Sequence, residues 1–278
     1  RATRLMAVDV NEYAITMTGV QGSIWTWAIR DLAFDGDVRA HNGMHVINAA
    51  GATNLRMNNV AFFRCDIAFK SQGQLDTWAN NVHFYGCDYC IWIDDYGTQH
   101  GGCQHWYDIS AFWNHKPVVV QGGSQMEFRH GRIENNYGWA FFIENAGSTG
   151  TYPTVIEDFW MEGNTLWDVE EVNGVNYDVD GYYYFDNCYV ILNGMILHNM
   201  EVKNGATVRA NNCMVFNPDN VDVNIPDANS VFIGTNCTVA SSKSKHSEIG
   251  LDFTPGAWGS VSALDPAALP QVLANRTS

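Results

Sequence analysis

The sequence is short of charge: Asp, Glu, Lys and Arg make up 16% of its 278 residues, with only 15 basic side chains against 30 acidic ones. The resulting formal charge of −15 repels polyanions and counts against nucleic acid as a partner. No run reaches the roughly 18 apolar residues of a membrane-spanning helix, so membrane insertion is not expected. The opening Arg1-Ala2-Thr3-Arg4 lacks both an initiating Met and a signal-peptide pattern, as in a processed chain or an excised fragment. A long charged helix is missing too. The seven cysteines, Cys65, Cys87, Cys90, Cys103, Cys188, Cys213 and Cys237, are an odd set that cannot all pair within one chain. Several sit where a small inward side chain suits the pattern described below, so they are expected to be reduced, as in a protein folded in a cytosol.

What the sequence does have is a weak repeat. Asparagine precedes an apolar step at Asn59-Val60, Asn81-Val82, Asn187-Cys188, Asn212-Cys213 and Asn236-Cys237. Taking Phe34, Phe62, Phe84, Phe112, Ile133, Met161, Val190, Val215 and Val239 as equivalent gives steps of 28, 22, 28, 21, 28, 29, 25 and 24 residues. Such periods, carried by short β-type runs with no helical pattern, predict an all-β chain: a single-stranded parallel β-helix, or solenoid, of about eight to ten coils. The crossover preference of parallel strands makes it right-handed. Residues 1–245 form this domain, and 246–278 form a tail that caps it or contacts another subunit.

Each middle coil reads as a strand, a tight turn, a second strand and a variable return. The second strands are Ile67-Ala68-Phe69, Tyr89 to Ile93, Val118-Val119-Val120, Ala140 to Ile143 and Leu166 to Val169; the returns include Tyr96 to Gly102, Asn145 to Tyr152 and Val172 to Gly181. Parallel neighbours lie about 4.7–4.9 Å apart, so equivalent residues stack into ladders. Asparagine fits the corner before the strand, because it tolerates the left-handed backbone and its amide can bond to the amide one coil away.

One residue past each anchor, alternation points the side chain outward. There the ladder reads Asp35, Phe63, Tyr85, Trp113, Glu134, Glu162. Aromatic rings offer flat apolar faces to sugar C–H faces, so the stripe resembles a sugar-binding groove leading to an acid pair. Carboxylates on adjacent strands raise one partner's pKa and so divide into an acid and a base. Glycoside hydrolysis needs such a pair, about 5–5.5 Å apart for retention or about 6.5–9.5 Å for inversion. His130 and Arg132 alternate outward with Glu134, and Asp158 and Trp160 lie beside them before Glu162. His130 and Asp158 occupy the corner position that holds asparagine elsewhere. The plain alternatives are solvated ion pairs on an outer face, and an aromatic stripe covered by another subunit.

Two further clusters have chemical potential. Asp94-Asp95, before the Gly- and His-containing loop Tyr96 to Gly102, is similar to the paired acids of polygalacturonase-like β-helices. It lacks their Asn-Thr-Asp element, and closing the loop is its plainer role. Cys87, Cys90, His100, Cys103 and His105 nominally suffice for zinc. Packing already accounts for Cys87, a ladder equivalent of Cys65, and there is no EF-hand loop for calcium. No metal or other cofactor is expected.

Across residues 10–245 the strand–turn grammar, with its Asn, Gly and aromatic residues, resembles the central β-helix of bacteriophage tailspikes and related pectate-lyase-like polysaccharide depolymerases. This resemblance implies a homotrimer on the virion, acting outside the host cell on a bacterial capsule, exopolysaccharide or O-antigen. It also implies acidic residues on neighbouring coils, a pattern matched here by Glu134, Asp158 and Glu162. The reading that follows is an endo-glycoside hydrolase, with Glu134 and Glu162 sharing acid and base roles and Asp158 orienting a water. His130 and Arg132 hold substrate, while Tyr85, Trp113 and Trp160 stack on sugars. Two alternatives remain open. One is a lyase with His130 or Tyr137 as base and Arg132 neutralising a uronate; the other is a fibre domain that binds glycan without cleaving it.

Overall fold

A computed structural model describes residues 3–6, 9, 12–18, 24–37, 41–47, 52–73, 76–94, 103–121, 126–137, 140–144, 154–162 and 164, and strand segments between 175 and 253. At 24–25, 47, 52–53, 143–144, 154, 162 and from 175 onward, only the backbone is described. The described residues are all-β, and from Thr3–Leu5 to Tyr182–Asp186 successive strands alternate between two sheets. The first sheet contains, in order, Ile24–Asp35, Ala52–Phe63, Asp76–Tyr85, Gln104–Phe112, Met126–Glu134 and Thr154–Glu162, each parallel to the next. The second contains Tyr13–Thr18, Asn42–Ile47, Ile67–Gln72, Tyr89–Asp94, Lys116–Gln121 and Phe141–Glu144, again parallel. One pairing is antiparallel: Ser247–Phe253 runs along Val231–Ser241.

The two sheets enclose one apolar interior. From the first sheet, Phe34, Phe62 and Phe84 stack with ring centroids 4.8 and 5.2 Å apart. Across the interior, Trp106 meets Phe69, and Phe141 meets Phe128 and Phe159, edge-on at 5.1–5.4 Å. Each such ring, fully buried, contributes roughly 2–3 kcal/mol by leaving water. Gly131 belongs to the same interior. A Cβ there would run into the Phe159 ring, so this strand gives up a side chain to make room for its neighbour's.

Within each of these six first-sheet strands one residue turns the backbone into the left-handed region. These residues are Asp31, Asn59, Asn81, Asp108, His130 and Asp158, with φ between 53° and 55°. Strand pairing passes over them, as where Arg30 partners Asn58 and Leu32 partners Val60. The corner role read from Asn59 and Asn81 is therefore present, and the amides do bond along the stack: Asn59 Nδ2 donates to Asp31 at 2.7 Å, and Asn81 Nδ2 to Asn59 at 3.2 Å.

A second stack lies inside the turn that follows each strand. Asn114, Asn136 and Asn164 are buried; Asn114 Nδ2 donates to Asn136 Oδ1 at 2.9 Å, and Asn136 Nδ2 to Asn164 Oδ1 at 2.8 Å. Cys65 and Cys87 precede them in the same stack, buried and unbridged, and Asn114 Oδ1 accepts from the Cys87 amide at 2.8 Å. The hydrogen bond to Cys87, together with burial, pushes the Cys65 thiol above its ordinary range. This is the environment of a packing cysteine rather than a reactive one.

Three sequence readings need correction. The anchor after Phe84 is Ala111, since Phe84 partners Ala111 and Tyr85 partners Phe112; the expected anchor Phe112 is displaced by one residue. Trp113 consequently leaves the outward strand ladder and sits in the turn at φ 59°, where Gly86 and Asn135 also adopt positive φ. The stretch Val172 to Gly181 is not purely a return, because Val175–Asp178 pairs with Phe141–Glu144. The second strand expected at Leu166 to Val169 lies outside the described residues.

Candidate functional site

The left-handed corners lie on the outer face of the first sheet, and polar side chains gather along them. A groove of about 800 Å³ is lined by Asn81, His83, Asp108, Ser110, His130, Arg132, Asp158 and Trp160, with Ile109, Gly131 and Phe159 as its floor. Four of the residues singled out in the sequence, His130, Arg132, Asp158 and Trp160, are thus together. Their arrangement follows from the fold: His130 and Asp158 are consecutive corner residues, while Arg132 and Trp160 are direct strand partners two positions further on.

A histidine–carboxylate contact and an Arg–Glu ion pair organise the groove. His130 Nδ1 lies 3.2 Å from Asp158 Oδ2. Arg132 donates to Glu134 Oε1 from Nε at 2.8 Å and approaches the same oxygen with Nη2 at 2.8 Å. The imidazole is 58% exposed and the guanidinium 63%, so both remain within reach of a ligand. The Glu134 side chain, at 14% exposure, is tucked beneath Arg132.

Glu134 and Glu162 are direct strand partners, which places their backbones one strand spacing, about 4.8 Å, apart. The Glu162 side chain lies outside the described residues. The ladder containing Glu134 reads Asp35, Phe63, Tyr85, Phe112, Glu134, Glu162, so Phe112 takes the place expected for Trp113. Tyr85, 49% exposed, belongs to this ladder but not to the groove lining. Trp113 is exposed in its turn, with its ring 6.3 Å from Tyr137. Asp94 ends a strand of the second sheet and accepts from Gln72 Nε2 at 3.3 Å; it is on a different sheet from Glu134. Asp95, His100 and the loop Tyr96 to Gly102 lie outside the described residues.

No family model matches the chain, and no curated protein or solved structure is detectably similar to it. The site therefore has to be read from its own residues.

Just before the corners, a second network borders the groove. Glu127 Oε2 is 3.1 Å from His105 Nδ1 and accepts from the Tyr107 hydroxyl at 3.2 Å, while Arg129 Nη1 contacts Glu157 at 2.7 Å. Burial, reinforced by Glu127, pushes the Tyr107 phenol up and keeps it neutral. Trp78 is stacked on His105 at 4.0 Å and has the Arg56 guanidinium 4.9 Å from its ring. Trp78, outside the groove lining, thus has ring and cation neighbours of its own. Among the described residues no group of three or more His, Cys, Asp or Glu is positioned to hold a metal ion.

Sequence reasoning missed Asp108 and Ser110 because the anchor was set one residue late. The signal was present: each corner stands three residues before its anchor, so Ala111 as anchor makes Asp108 the corner. His83 enters the groove because it is the strand partner of Ser110, which is the partner of Arg132.

Proposed function

We propose that the chain is a right-handed, single-stranded parallel β-helix that works as a polysaccharide depolymerase of the phage-tailspike kind, hydrolysing a bacterial surface glycan within its chain. The alternation of successive strands between two parallel sheets as far as Tyr182–Asp186 supports the helix. The observation that carries the activity is the strand partnership of Glu134 and Glu162 beside the groove that Arg132 and Trp160 line. Backbones one strand spacing apart bring two glutamates within reach of the carboxyl separation of about 5–5.5 Å at which one group protonates the leaving oxygen while the other serves as nucleophile. Trp160 offers an exposed ring to a pyranose, and Arg132 donates hydrogen bonds to its hydroxyls. Homotrimeric assembly on the virion, with action at the host surface, belongs to the same proposal.

A lyase is the second reading, favoured by His130 and Arg132 standing exposed on one strand. A base beside a carboxylate-neutralising cation is what β-elimination from a uronate requires.

Incubation with a panel of capsular polysaccharides, read by product mass, separates the readings. Hydrolysis products carry an added water. Elimination products lack it and absorb in the ultraviolet through a new double bond. Glu134→Gln and Glu162→Gln should each reduce hydrolysis by at least about 100-fold. Full activity in both variants removes the acid pair, and binding without cleavage by the unsubstituted chain leaves a glycan-binding fibre.

A further inference from the structure

The groove contains a serine, a histidine and an aspartate whose order on adjacent strands suits acyl transfer. Ser110, His130 and Asp158 stand on the strands Gln104–Phe112, Met126–Glu134 and Thr154–Glu162, which are consecutive in the first sheet, and all three line the same cavity. His130 is the middle member. Its Nδ1 is turned to Asp158 at 3.2 Å, which holds the ring and, in the tautomer with Nδ1 protonated, leaves Nε2 as the proton acceptor. The corners Asp31, Asn59, Asn81, Asp108 and Asp158 carry amides or carboxylates at the same backbone position; among these described corners, His130 alone brings an imidazole.

Ser110 stands on the strand that flanks His130 on the side away from Asp158. It is the direct partner of Arg132, two residues beyond the imidazole, and its hydroxyl bonds to no other group among the described residues. Arg132 directs Nε and Nη2 to Glu134. Arg132, as the strand partner of Ser110, brings to this face a cation that suits an oxyanion forming there. A serine, an oriented imidazole and a nearby cation are the parts that ester hydrolysis uses, and they are recognised by role rather than by sequence order.

We propose that Ser110, His130 and Asp158 form a serine-esterase centre in the groove, acting on carboxylic esters of sugar hydroxyls. The Ser110 hydroxyl oxygen attacks the ester carbonyl carbon while its proton passes to His130 Nε2. The tetrahedral intermediate, its oxyanion facing Arg132, expels the sugar alkoxide, which takes the proton back from His130. An acyl-Ser110 ester remains. Water then gives a proton to His130 and attacks that ester, and collapse releases the carboxylic acid with the serine restored. One ester and one water become one acid and one alcohol. Asp158 acts through His130 as a positioning residue.

The test needs no glycan, so its result is independent of whether Glu134 and Glu162 cleave sugar chains. The full chain is treated with phenylmethylsulfonyl fluoride and its peptides are weighed; separately, p-nitrophenyl acetate hydrolysis is followed by released p-nitrophenolate. The expected result is a sulfonyl adduct on Ser110, saturable ester turnover, and at least a 100-fold loss of kcat/KM in Ser110→Ala and in His130→Gln. Asp158→Asn should lower kcat by a similar factor while leaving KM nearly unchanged, and a burst of p-nitrophenolate should precede steady turnover. Because the adduct forms on the unsubstituted chain, a poorly folding variant cannot obscure the answer. No adduct on Ser110, no turnover of the acetate ester, or turnover that survives Ser110→Ala while His130→Gln removes it, each overturns the assignment.

Discussion

Two stacks of polar side chains run through the same set of strands, and they differ in what surrounds them. Asn114, Asn136 and Asn164 lie inside the turn, buried, and their amides bond both to one another and to main-chain oxygens. Asp31, Asn59, Asn81, Asp108, His130 and Asp158 stand at the left-handed corners on the outer face. Inside, every amide hydrogen needs a partner because water cannot supply one, so among the described members the polar positions are filled by one residue type. Outside, water satisfies whatever a neighbour does not. The backbone asks only for a residue that tolerates positive φ, and identity drifts from amide to carboxylate to imidazole. Freedom from an obligatory buried hydrogen-bonding role is what allows the outer stack to carry chemistry.

Breaking the inner stack should have the largest effect on stability. Asn136 Nδ2 donates to Ala111 O and Glu134 O at 3.1 Å and to Asn164 Oδ1 at 2.8 Å, while its Oδ1 accepts from both nitrogens of Asn114 at 2.9 Å. Asn136→Ala strands several of these buried groups at once. The expected loss is about 3–4 kcal/mol, read as a lower denaturation midpoint by circular dichroism. A loss under about 1 kcal/mol would mean that water enters the turn, and the contrast with the outer stack would disappear.

The outer stack should respond to backbone conformation more than to side-chain bonding. Asn81 sits at φ 54° and donates one exposed amide bond to Asn59. Asn81→Ala forces a Cβ-bearing residue without amide assistance into the left-handed region and should cost about 1 kcal/mol. Asn81→Gly gives up the same bond but has no left-handed penalty, and should stay within about 0.5 kcal/mol of the parent. Equal losses in the two variants would assign the corner's stability to the amide ladder instead.

This contrast also explains what could be read in the sequence. The corner asparagines and the interior phenylalanines were legible because their physics is local: a left-handed residue three positions before an inward side chain recurs whether or not neighbours are known. The pairing of Glu134 with Glu162 followed directly from that period. The groove was only half legible. Ala111, a small inward residue next to the larger Phe112, concealed the register, and with it Asp108 and Ser110. No sequence pattern announces that Trp113 occupies a left-handed turn position, since the neighbouring turns put Gly86 or Asn135 there and an indole gives no such cue. The buried asparagine stack was missed because Asn114, Asn136 and Asn164 share their stack with Cys65 and Cys87, so no single residue type marks it.

The smallest effect, and the one that tests surroundings rather than shape, is pH. Asp35, at the end of one first-sheet strand, and Asp66, in the turn after the next, are carboxylates with opposite settings. Burial alone would raise Asp35, but hydrogen bonds from Arg64 and the Asp37 amide, with the charges of Arg64 and Arg4, overcome it and hold the carboxyl below its ordinary value. Asp66 is raised, by burial first and by the charge of Asp88 second. A lowered carboxyl contributes stability that is complete above its unfolded pKa, near 3.9, and is lost as pH falls through the folded value. A raised one contributes below the unfolded pKa and loses that contribution as pH climbs through the folded value. Asp35→Asn should therefore weaken the fold near neutrality and flatten its decline on the acid side. Asp66→Asn should strengthen it near neutrality, with the gain fading below about pH 4. Denaturation midpoints measured from pH 3 to 8 should diverge in these opposite senses; variants that move in parallel would show that both carboxylates experience the same solvent, and that the outer face does not divide into paired and unpaired charge.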